Sequence, residues 1–291
     1  MKFTKMHGIG NDYVYVNGFE EKIPDPAAAA RFVSDRHFGI GSDGLIIIQP
    51  SDRTDCMMEM YNADGSRGQM CGNGIRCVAK YVYDNGIVDR TGITVDTLAG
   101  VKKLDLNLKD GKVDTVRVDM GAPILTPEKI PVDPGDFQYL PMDEVKPYGR
   151  MIRNAFIKVT EDTGMYGTCV SMGNPHCVVP VENLENFNIR YYGPLFEYNS
   201  IFPERINTEF ITVTDRKNIS MRVWERGSGE TWACGTGACA AAVAGVLNDW
   251  TDRSVTVHLR GGNLEIEWDE ERNTVFMTGS ATKVFDGEMD L

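Results

Sequence analysis

The chain has 291 residues, of which 42% are hydrophobic and 25% charged, a composition typical of one large globular domain or two of ordinary size. The formal net charge of −12 at pH 7 argues against nucleic acid or an anionic membrane as a partner, because both require a basic surface. No apolar run approaches the roughly 20 residues that span a bilayer. The first residues also lack the apolar core of a signal peptide, so a cytoplasmic location is expected.

The first half of the chain predicts short strands around two helices. Residues 25 and 26 are an aspartate and a proline, typical of the start of a helix that runs to about residue 36. A second helix is predicted at 75–83, where apolar residues have helical spacing and almost no polar face. Strands are predicted at 2–6, 13–17, 45–49, 56–61, 94–97, 102–108 and 113–120.

Proline-rich stretches at 121–127 and 130–134 provide the best domain boundary. The second half repeats the pattern of the first, with a helical or turn region near Tyr198 and an alanine-rich helix at 238–247. Strands are predicted at 177–181, 209–214, 219–224, 254–260, 264–268 and 274–278.

A duplication explains this pattern. Cys71-Gly-Asn-Gly recurs as Cys234-Gly-Thr-Gly, 163 residues later (234 − 71 = 163), and each copy precedes an apolar helix. Asn11 and Asn174 follow glycine at the same offset, and Asn62 corresponds to Glu225. Several matches at one offset indicate two similar domains, each rebuilding the same loops.

The doubled cysteine indicates a particular chemistry. A cysteine at a helix N-terminus lies near unpaired N–H groups and the positive end of the helix dipole, which can lower its pKa from about 8.5. Two such half-sites facing each other would hold a carboxylate between two thiols. Inverting a carbon centre requires a base on one face and an acid on the other, and cysteine suits both roles. The N–H groups would stabilise the developing carbanion.

Simpler explanations exist for several of these residues. Free cysteine is among the most buried residue types, so Cys71 and Cys234 taken singly would be structural; their matched contexts favour catalysis. The other thiols, Cys56, Cys77, Cys169, Cys177 and Cys239, are expected to be structural, because seven cysteines at irregular spacing do not form a disulfide framework. Four histidines and no Cys-x-x-Cys pair predict no zinc site.

One apparent cofactor motif is rejected. Residues 39–44 fit G-x-G-x-x-G, but they follow a predicted helix and lead into a strand. A dinucleotide fingerprint follows a strand and opens a helix, so NAD binding is not predicted.

Five segments, MHGIGNDY (6–13), YNADGSRGQMCGNGIRC (61–77), GNPHCVV (173–179), INTEF (206–210) and ERGSGETWACGTGAC (225–239), closely resemble the diaminopimelate epimerase family. They occur in family order from near the start of the chain to residue 239. The resemblance implies a cofactor-independent, two-base epimerisation of L,L- to meso-2,6-diaminopimelate, in lysine and peptidoglycan biosynthesis.

The resemblance also implies the fold class, α+β. Two pseudo-symmetric domains are expected, each a mixed β-sheet curled into a barrel around a central helix. The first would comprise residues 1–120, completed by a C-terminal strand at about 277–291, and the second residues 121–276. A homodimer is common in the family and is expected here.

Site residues are carried over by matching motifs. Cys71 and Cys234 match the catalytic pair, and His176 and Glu225 match positions that assist the thiols. Glu225 also belongs to the set expected at the substrate, which consists of Asn11, Asn62, Gly72, Asn73, Asn174, Asn207, Glu225, Arg226, Gly235 and Thr236. Some relatives have glutamine where this chain has Gly44, so one polar substrate contact is expected to be absent or replaced.

Two other functions are compatible with these residues. A racemase that needs no pyridoxal phosphate could act on proline, hydroxyproline, glutamate or histidine with the same thiol pair, because fold and catalytic pair do not fix the substrate. A thiol redox switch, or a binding module that kept the cleft, is the alternative from a different class. The polar set with Asn62, Asn174, Asn207 and Arg226 favours a substrate with a second amino and carboxylate group.

Overall fold

A computed structural model describes the backbone of residues 1–133, 142–145 and 149–291, and the side chains of 1–133 and 149–291. Pro134, which ends the second predicted proline-rich stretch, lies outside the described residues. The chain separates into two compact units, Met1–Asp119 with Thr278–Leu291 and Met120–Met277. No helix in the described part of the chain is long and apolar enough to cross a membrane.

The first half of the chain contains eight strands and two helices. In chain order they are β1 (Lys2–Gly8), β2 (Asn11–Asn17), α1 (Pro26–Ser34), β3 (Gly44–Gln49), β4 (Cys56–Asn62), β5 (Arg67–Gly68), α2 (Gly72–Asp84), β6 (Gly92–Asp96), β7 (Lys102–Lys109) and β8 (Lys112–Gly121).

The second half begins with a 3-10 turn at Pro127–Lys129. It continues with β9 (Met142–Val145), β10 (Gly149–Ile152), β11 (Ala155–Lys158), β12 (Gly164–Ser171), β13 (Pro175–Pro180), α3 (Ile189–Glu197), β14 (Asn207–Asp215), β15 (Asn218–Glu225), β16 (Gly229–Thr231), α4 (Gly235–Leu247), β17 (Ser254–Leu259), β18 (Gly262–Asp269), β19 (Thr274–Ser280) and β20 (Thr282–Glu288).

Each unit contains a mixed sheet. In the first unit the strands follow the order β20-β1-β2-β3-β4-β6-β7-β8, with parallel pairs at β2–β3 and β4–β6. In the second unit the order is β11-β12-β13-β14-β15-β17-β18, with parallel pairs at β13–β14 and β15–β17. Among the described pairings neither sheet is closed by hydrogen bonds, so each curls around its helix without forming a complete barrel.

Both faces of the first sheet are covered, because alternate residues of a strand point to opposite faces. Val14, Val16, Leu45 and Ile47 pack with α1 in one buried cluster. Residues between them face α2: the Tyr15 hydroxyl donates to the Gly74 carbonyl at 3.3 Å. Covering both faces explains why 45–48 is a continuous apolar run rather than an alternating one.

The central helix of the second unit is more completely enclosed than that of the first. In α4 eleven of thirteen residues are buried, and the helix contacts strands β12, β13, β14, β15, β17 and β18. Small side chains such as those of Ala240, Ala241 and Ala242 allow this close approach on all sides. A helix apolar around its whole circumference is stable only in such a core.

The duplication extends to whole elements. An offset of 163 residues superposes the bounds of α1 on those of α3, and the bounds of α2 on those of α4. The edge strands correspond as well, since β20 pairs with β1 and β11 pairs with β12. The predicted α+β class with two similar halves is therefore confirmed.

Some predicted bounds were wrong. The first helix ends at Ser34 rather than about residue 36, because Asp35 leaves the helical conformation (φ −58°, ψ 123°). The two central helices begin at Gly72 and Gly235, three residues before their predicted apolar starts, since each glycine-rich loop already forms the first turn. Strands β5, β9, β10, β11, β12 and β16 were not predicted, and β20 was expected only from the family resemblance.

Candidate active site

The first half-site is built on the N-terminus of α2, where Cys71 is the N-cap residue with extended backbone dihedrals. Its sulfur accepts a hydrogen bond from the Gly74 N–H at 3.4 Å, and its thiol donates to Asn11 Oδ1 at 3.2 Å. Asn11 begins β2. The structure therefore brings together two of the predicted site residues that lie 60 positions apart in the chain.

A buried arginine holds the loop after Cys71. Arg76 is fully buried, and its guanidinium donates to the Gly72 carbonyl at 3.0 Å and to Asn73 Oδ1 at 2.9 Å. It also donates to the Ser280 carbonyl at 3.1 Å. The bond to the Gly72 carbonyl orients the peptide that carries the Asn73 N–H, one of the amides predicted to bind a carboxylate, and the bond to Oδ1 holds the Asn73 side chain.

Two further positions singled out in the sequence lie on neighbouring strands, β3 and β4. Asn62 ends β4, and its side-chain amide donates to Ser66 Oγ at 2.9 Å. Gly44 begins β3, and a Cβ at this position would lie 2.1 Å from the Tyr61 carbonyl oxygen and 2.7 Å from the ring of Tyr13. A glutamine therefore cannot be accommodated at position 44 unless Tyr13 and the neighbouring strand move.

The second half-site is built on the N-terminus of α4, where Cys234 is the N-cap residue. Cys234 is buried, and its sulfur lies 3.5 Å from the hydroxyl of Thr236. Gly235 forms the first buried position of the helix. The two thiols thus occupy equivalent positions in the two units, but different groups surround them.

An imidazole–carboxylate pair lies buried in this half-site. His176 Nδ1 is 2.7 Å from Glu209 Oε1, and both side chains are fully buried. The other ring nitrogen, Nε2, is 3.1 Å from Asn174 Oδ1. Glu209 packs under the first turn of α4, because a Cβ on Gly237 would lie 2.6 Å from Glu209 Oε1. The second carboxylate oxygen of Glu209 has no hydrogen-bond partner among the described residues.

Of the remaining predicted residues, Asn207 and Arg226 are joined by a hydrogen bond, and Glu225 has a separate partner. Asn207 donates to the Pro175 carbonyl at 2.7 Å and accepts the Arg226 backbone N–H at 3.0 Å. The Arg226 guanidinium is exposed and donates to the Glu204 carbonyl at 2.9 Å. The Glu225 carboxylate accepts a hydrogen bond from the Thr231 hydroxyl.

The electrostatics of the second half-site correct one expectation. Burial, followed by the negative charges of Glu225 and Glu209, raises the pKa of Cys234 well above its ordinary value, whereas the helix N-terminus was expected to lower it. Bonds to Thr236 and the Gly237 N–H oppose the rise but are outweighed. Cys234 is therefore a neutral thiol near pH 7. Burial also raises the pKa of Glu225, and the charge of Glu209 adds to this rise.

The other thiols behave as structural residues. All seven cysteines are free, and Cys56, Cys77, Cys169, Cys177 and Cys239 are fully buried. Burial raises the pKa of Cys56 to about 12 and that of Cys77 to about 11. Among the described side chains, no group of three or more His, Cys, Asp or Glu residues is arranged to hold a metal ion.

Three residues that contact predicted site residues were not predicted from the sequence: Glu209, Asp43 and Arg76. Glu209 lies in the recognised INTEF segment, and a charged residue in a buried strand was the signal that could have revealed it. Asp43 lies in the segment rejected as a dinucleotide motif, and its carboxylate accepts a hydrogen bond from the Asn11 amide at 2.8 Å. Arg76 lies inside an apolar helix, where an arginine requires acceptors.

Comparisons with known proteins identify the family. The profile described as diaminopimelate epimerase matches residues 3–126 and 168–284, more than half of the chain. The chain belongs to the diaminopimelate epimerase family. Proteins of that name from Agathobacter rectalis and Acetivibrio thermocellus are 58% and 54% identical over 291 residues, covering 100% of this chain and 100% and 99% of theirs. The predicted enzyme class, an isomerase, is confirmed.

Solved structures show the same fold at low identity. A phenazine biosynthesis protein of the PhzF family from Bacillus anthracis matches with a TM-score of 0.68 at 14% identity, covering 100% of this chain and 99% of that chain. A hydroxyproline epimerase from Agrobacterium vitis matches with a TM-score of 0.66 at 15% identity, covering 99% of this chain and 90% of that chain. At such identity the likeness shows the fold alone.

Proposed function

We propose that this chain converts L,L-2,6-diaminopimelate to its meso form with Cys71 and Cys234 acting on opposite faces of one α-carbon. The single observation that carries this proposal is that both cysteines are N-cap residues of the two equivalent buried helices. Each thiol thus lies beside helix N–H groups in a loop that is repeated between the two units. No cofactor is required for this reaction.

The proposed reaction moves one proton off the carbon and another onto it. One sulfur, as thiolate, takes the α-proton, and the opposite sulfur, as thiol, gives its proton to the other face of the carbanion. After the reaction the protonation states of the two sulfurs are exchanged. The raised pKa of Cys234 supports its role as the acid in the resting enzyme, since a neutral thiol has a proton to give.

The helix termini supply the carboxylate site. Gly72 and Asn73 in one unit, and Gly235 and Thr236 in the other, open α2 and α4. Backbone N–H groups in a first helical turn have no partner within the helix and attract negative charge. As the α-proton leaves, negative charge grows on the carboxylate, so these N–H groups stabilise the transition state more than the substrate.

Polar side chains of both half-sites provide recognition of the distal amino-acid group. We assign this role to Asn11, Asn62, Asn174, Asn207, Glu225 and Arg226. Arg226 suits a carboxylate because its guanidinium is exposed and can form a bidentate pair. Asn207 supports it by accepting the Arg226 backbone N–H.

His176 and Glu225 are assigned to adjusting the Cys234 thiol. The negative charge of Glu225 raises the pKa of Cys234. His176 and Glu225 both lie in the same unit as this cysteine. His176 is held by Glu209, which prevents the ring from turning. Glu209 also lies against Gly237 in the first turn of α4, so the pair is fixed beside the helix that Cys234 caps.

Three broader assignments belong to the same proposal. The domains are residues 1–120 with about 277–291, and residues 121–276. A cytoplasmic location is supported by seven free thiols, since disulfides are rare in reducing compartments. A homodimer is inferred from the family resemblance. Sedimentation equilibrium tests this oligomeric state through the molecular mass in solution.

Solvent exchange tests the reaction directly. With L,L-diaminopimelate in D2O under reducing conditions, the meso product is expected to carry deuterium at the α-carbon, measured by NMR and mass spectrometry. Cys71→Ala and Cys234→Ala are each expected to abolish epimerisation, whereas Cys→Ser at either site leaves slow, one-sided exchange, because serine is a poor base in the same geometry. If the meso product carries no deuterium at the α-carbon, the proposal is contradicted. Faster turnover of proline, hydroxyproline, glutamate or histidine would identify a different racemase instead.

A further inference from the structure

The Asn11 amide lies between the Cys71 thiol and a carboxylate. Its Nδ2 donates to Asp43 Oδ2 at 2.8 Å, and its Oδ1 accepts from the Cys71 thiol at 3.2 Å. The same Asp43 oxygen accepts the backbone N–H of Asp12 at 3.1 Å. A side-chain amide has distinct donor and acceptor ends, so what binds one end decides what the other end can bind.

Asp43 removes the ambiguity in the orientation of this amide. An ionised carboxylate can only accept hydrogen bonds, so Asn11 must turn its NH2 group toward Asp43. The Asn11 carbonyl oxygen is then left facing sulfur. An oxygen acceptor at that position stabilises a thiol, which can donate, and disfavours a thiolate, which would face a second negative atom.

Asp43 itself is held in place by charge. Arg36 donates to Asp43 at 2.9 Å and to Asp12 at 2.9 Å, and Lys5 forms an ion pair with Asp12. Burial, followed by the charge of Asp12, raises the pKa of Asp43. Burial alone would also raise the pKa of Asp12, but bonds with Arg36 and Lys5 lower it. The loop thus presents a carboxylate to Asn11 in one defined orientation.

Other ionisable groups near the Cys71 thiol have different partners or are neutral near pH 7. Tyr15 and Cys77 interact electrostatically with Cys71, but burial raises the pKa of both groups, that of Cys77 to about 11, so they are neutral near pH 7. Arg76 binds the loop carbonyl and Asn73 on the same helix. His7 accepts the Gly10 N–H at 3.3 Å. In the described contacts, the Cys71 thiol donates its proton to Asn11 Oδ1.

We propose that Asp43 is a positioning residue that orients the Asn11 amide and thereby holds Cys71 as a protonated hydrogen-bond donor in the ligand-free enzyme. The proposal rests on the proposed function only in taking Cys71 as a reacting thiol. The equivalent position in the second unit is Ile206, and there Asn174 is bound by His176 instead. The contacts of the two thiols differ as well, since Cys71 donates to Asn11 whereas Cys234 lies 3.5 Å from the Thr236 hydroxyl.

The test measures the protonation of Cys71 without substrate. The rate of Cys71 alkylation by iodoacetamide is followed from pH 6 to pH 10, with the modified peptide quantified by mass spectrometry. Asp43→Asn allows the Asn11 amide to turn its NH2 group toward sulfur. The midpoint of the Cys71 pH profile is expected to fall by about one unit, which gives a roughly tenfold higher rate near neutral pH.

A matched control variant and a double-mutant cycle distinguish a turned Asn11 amide from the simple loss of one negative charge. Asp96→Asn removes one carboxylate from the same unit, where it binds Arg53 at 2.7 Å, and is expected to leave the Cys71 profile unchanged. Asn11→Ala removes the acceptor and should lower the midpoint by itself. Adding Asp43→Asn to Asn11→Ala should then have little further effect, because Asp43 acts through Asn11.

The outcomes are distinct. A Cys71 midpoint that stays unchanged or rises in Asp43→Asn overturns the proposal, as does an equal fall in Asp96→Asn or a full additional fall in the double variant. If Asp43→Asn does not fold, a fall in Asn11→Ala that is absent in Asp96→Asn supports the arrangement, and no fall in Asn11→Ala overturns it. Absence of epimerisation leaves these thiol measurements unaffected, so failure of the proposed function would be recognised separately.

Discussion

Single residues give the two cysteines different properties, although their loops are copies of one another. Cys71 donates to an amide oxygen and accepts a helix N–H. Cys234 is buried near the carboxylates of Glu225 and Glu209, which raise its pKa. Cys234 therefore has a proton to give at rest, whereas Cys71, held protonated in the ligand-free enzyme, must lose its proton before it can act as the base.

The raised pKa of Cys234 predicts a pH-dependent stability. Because the folded state holds this thiol proton more tightly than the unfolded chain, the stabilisation is complete below the ordinary thiol pKa of about 8.5 and is lost as pH rises above it. Cys234→Ser removes this loss, so its free energy of unfolding should fall less steeply above pH 8.5, by up to about 1.4 kcal/mol per pH unit. Urea denaturation between pH 7 and pH 10 measures the difference, and parallel curves for the two proteins would contradict it.

At the scale of elements, each central helix requires a glycine where a strand passes beneath it. Gly237 faces the Glu209 carboxylate, whereas the equivalent Gly74 faces the tips of Ile46 and Met58. The same backbone arrangement thus covers a buried imidazole–carboxylate pair in one unit and apolar side chains in the other. Helix and strand geometry were duplicated, and the chemistry beneath the helix diverged.

Alanine at these two glycines should have unequal effects. Gly237→Ala brings a Cβ within 2.6 Å of a carboxylate that is already bonded to His176, so the pair must shift or break. We expect a loss of about 2–3 kcal/mol of folding free energy, on the scale of overpacking, and a changed pH profile of Cys234 alkylation. Gly74→Ala meets flexible apolar tips and should lose about 1 kcal/mol or less. Denaturation midpoints compare the two variants, and equal losses would refute the argument.

At the scale of the whole molecule, the chain ends complete the first unit. The last strand, β20, pairs with β1 along its length, and Phe285 packs edge-on against Phe3 with ring centres 5.9 Å apart. The Met1 amino group donates to the Met289 carbonyl at 2.8 Å. Because β20 follows the second unit in the chain, the sheet of the first unit can be completed only after the second unit has been synthesised.

Truncation tests this closure of the first unit. Removing residues 282–291 leaves β1 as an unpaired edge and uncovers Phe3, so we expect a loss of at least about 2 kcal/mol, the scale of exposing one buried aromatic side chain. Removing only residues 290 and 291, which are exposed, is the matched control and should change stability little. Guanidinium denaturation and size-exclusion chromatography report the effect, and equal stability of the two truncations would argue against it.

The sequence by itself determined the architecture and the family. Repeats at a constant offset, the Cys-Gly-x-Gly turns and the apolar helices are patterns of neighbouring residues, and they suffice to place Cys71 and Cys234 at helix N-termini. The edge strand β11 was missed because a four-residue strand has weak periodicity, and its pairing depends on residues of another strand.

Only the tertiary structure decided what surrounds each thiol. Glu209 reaches His176 from 33 residues away, and Asp43 reaches Asn11 from 32 residues away, so neither contact is visible in a local motif. The direction in which the pKa of Cys234 shifts also depended on burial, which a helix-dipole argument from the sequence omits. Loops and helices follow from local patterns, whereas the electrostatics of a buried site are the combined effect of groups that only folding brings together.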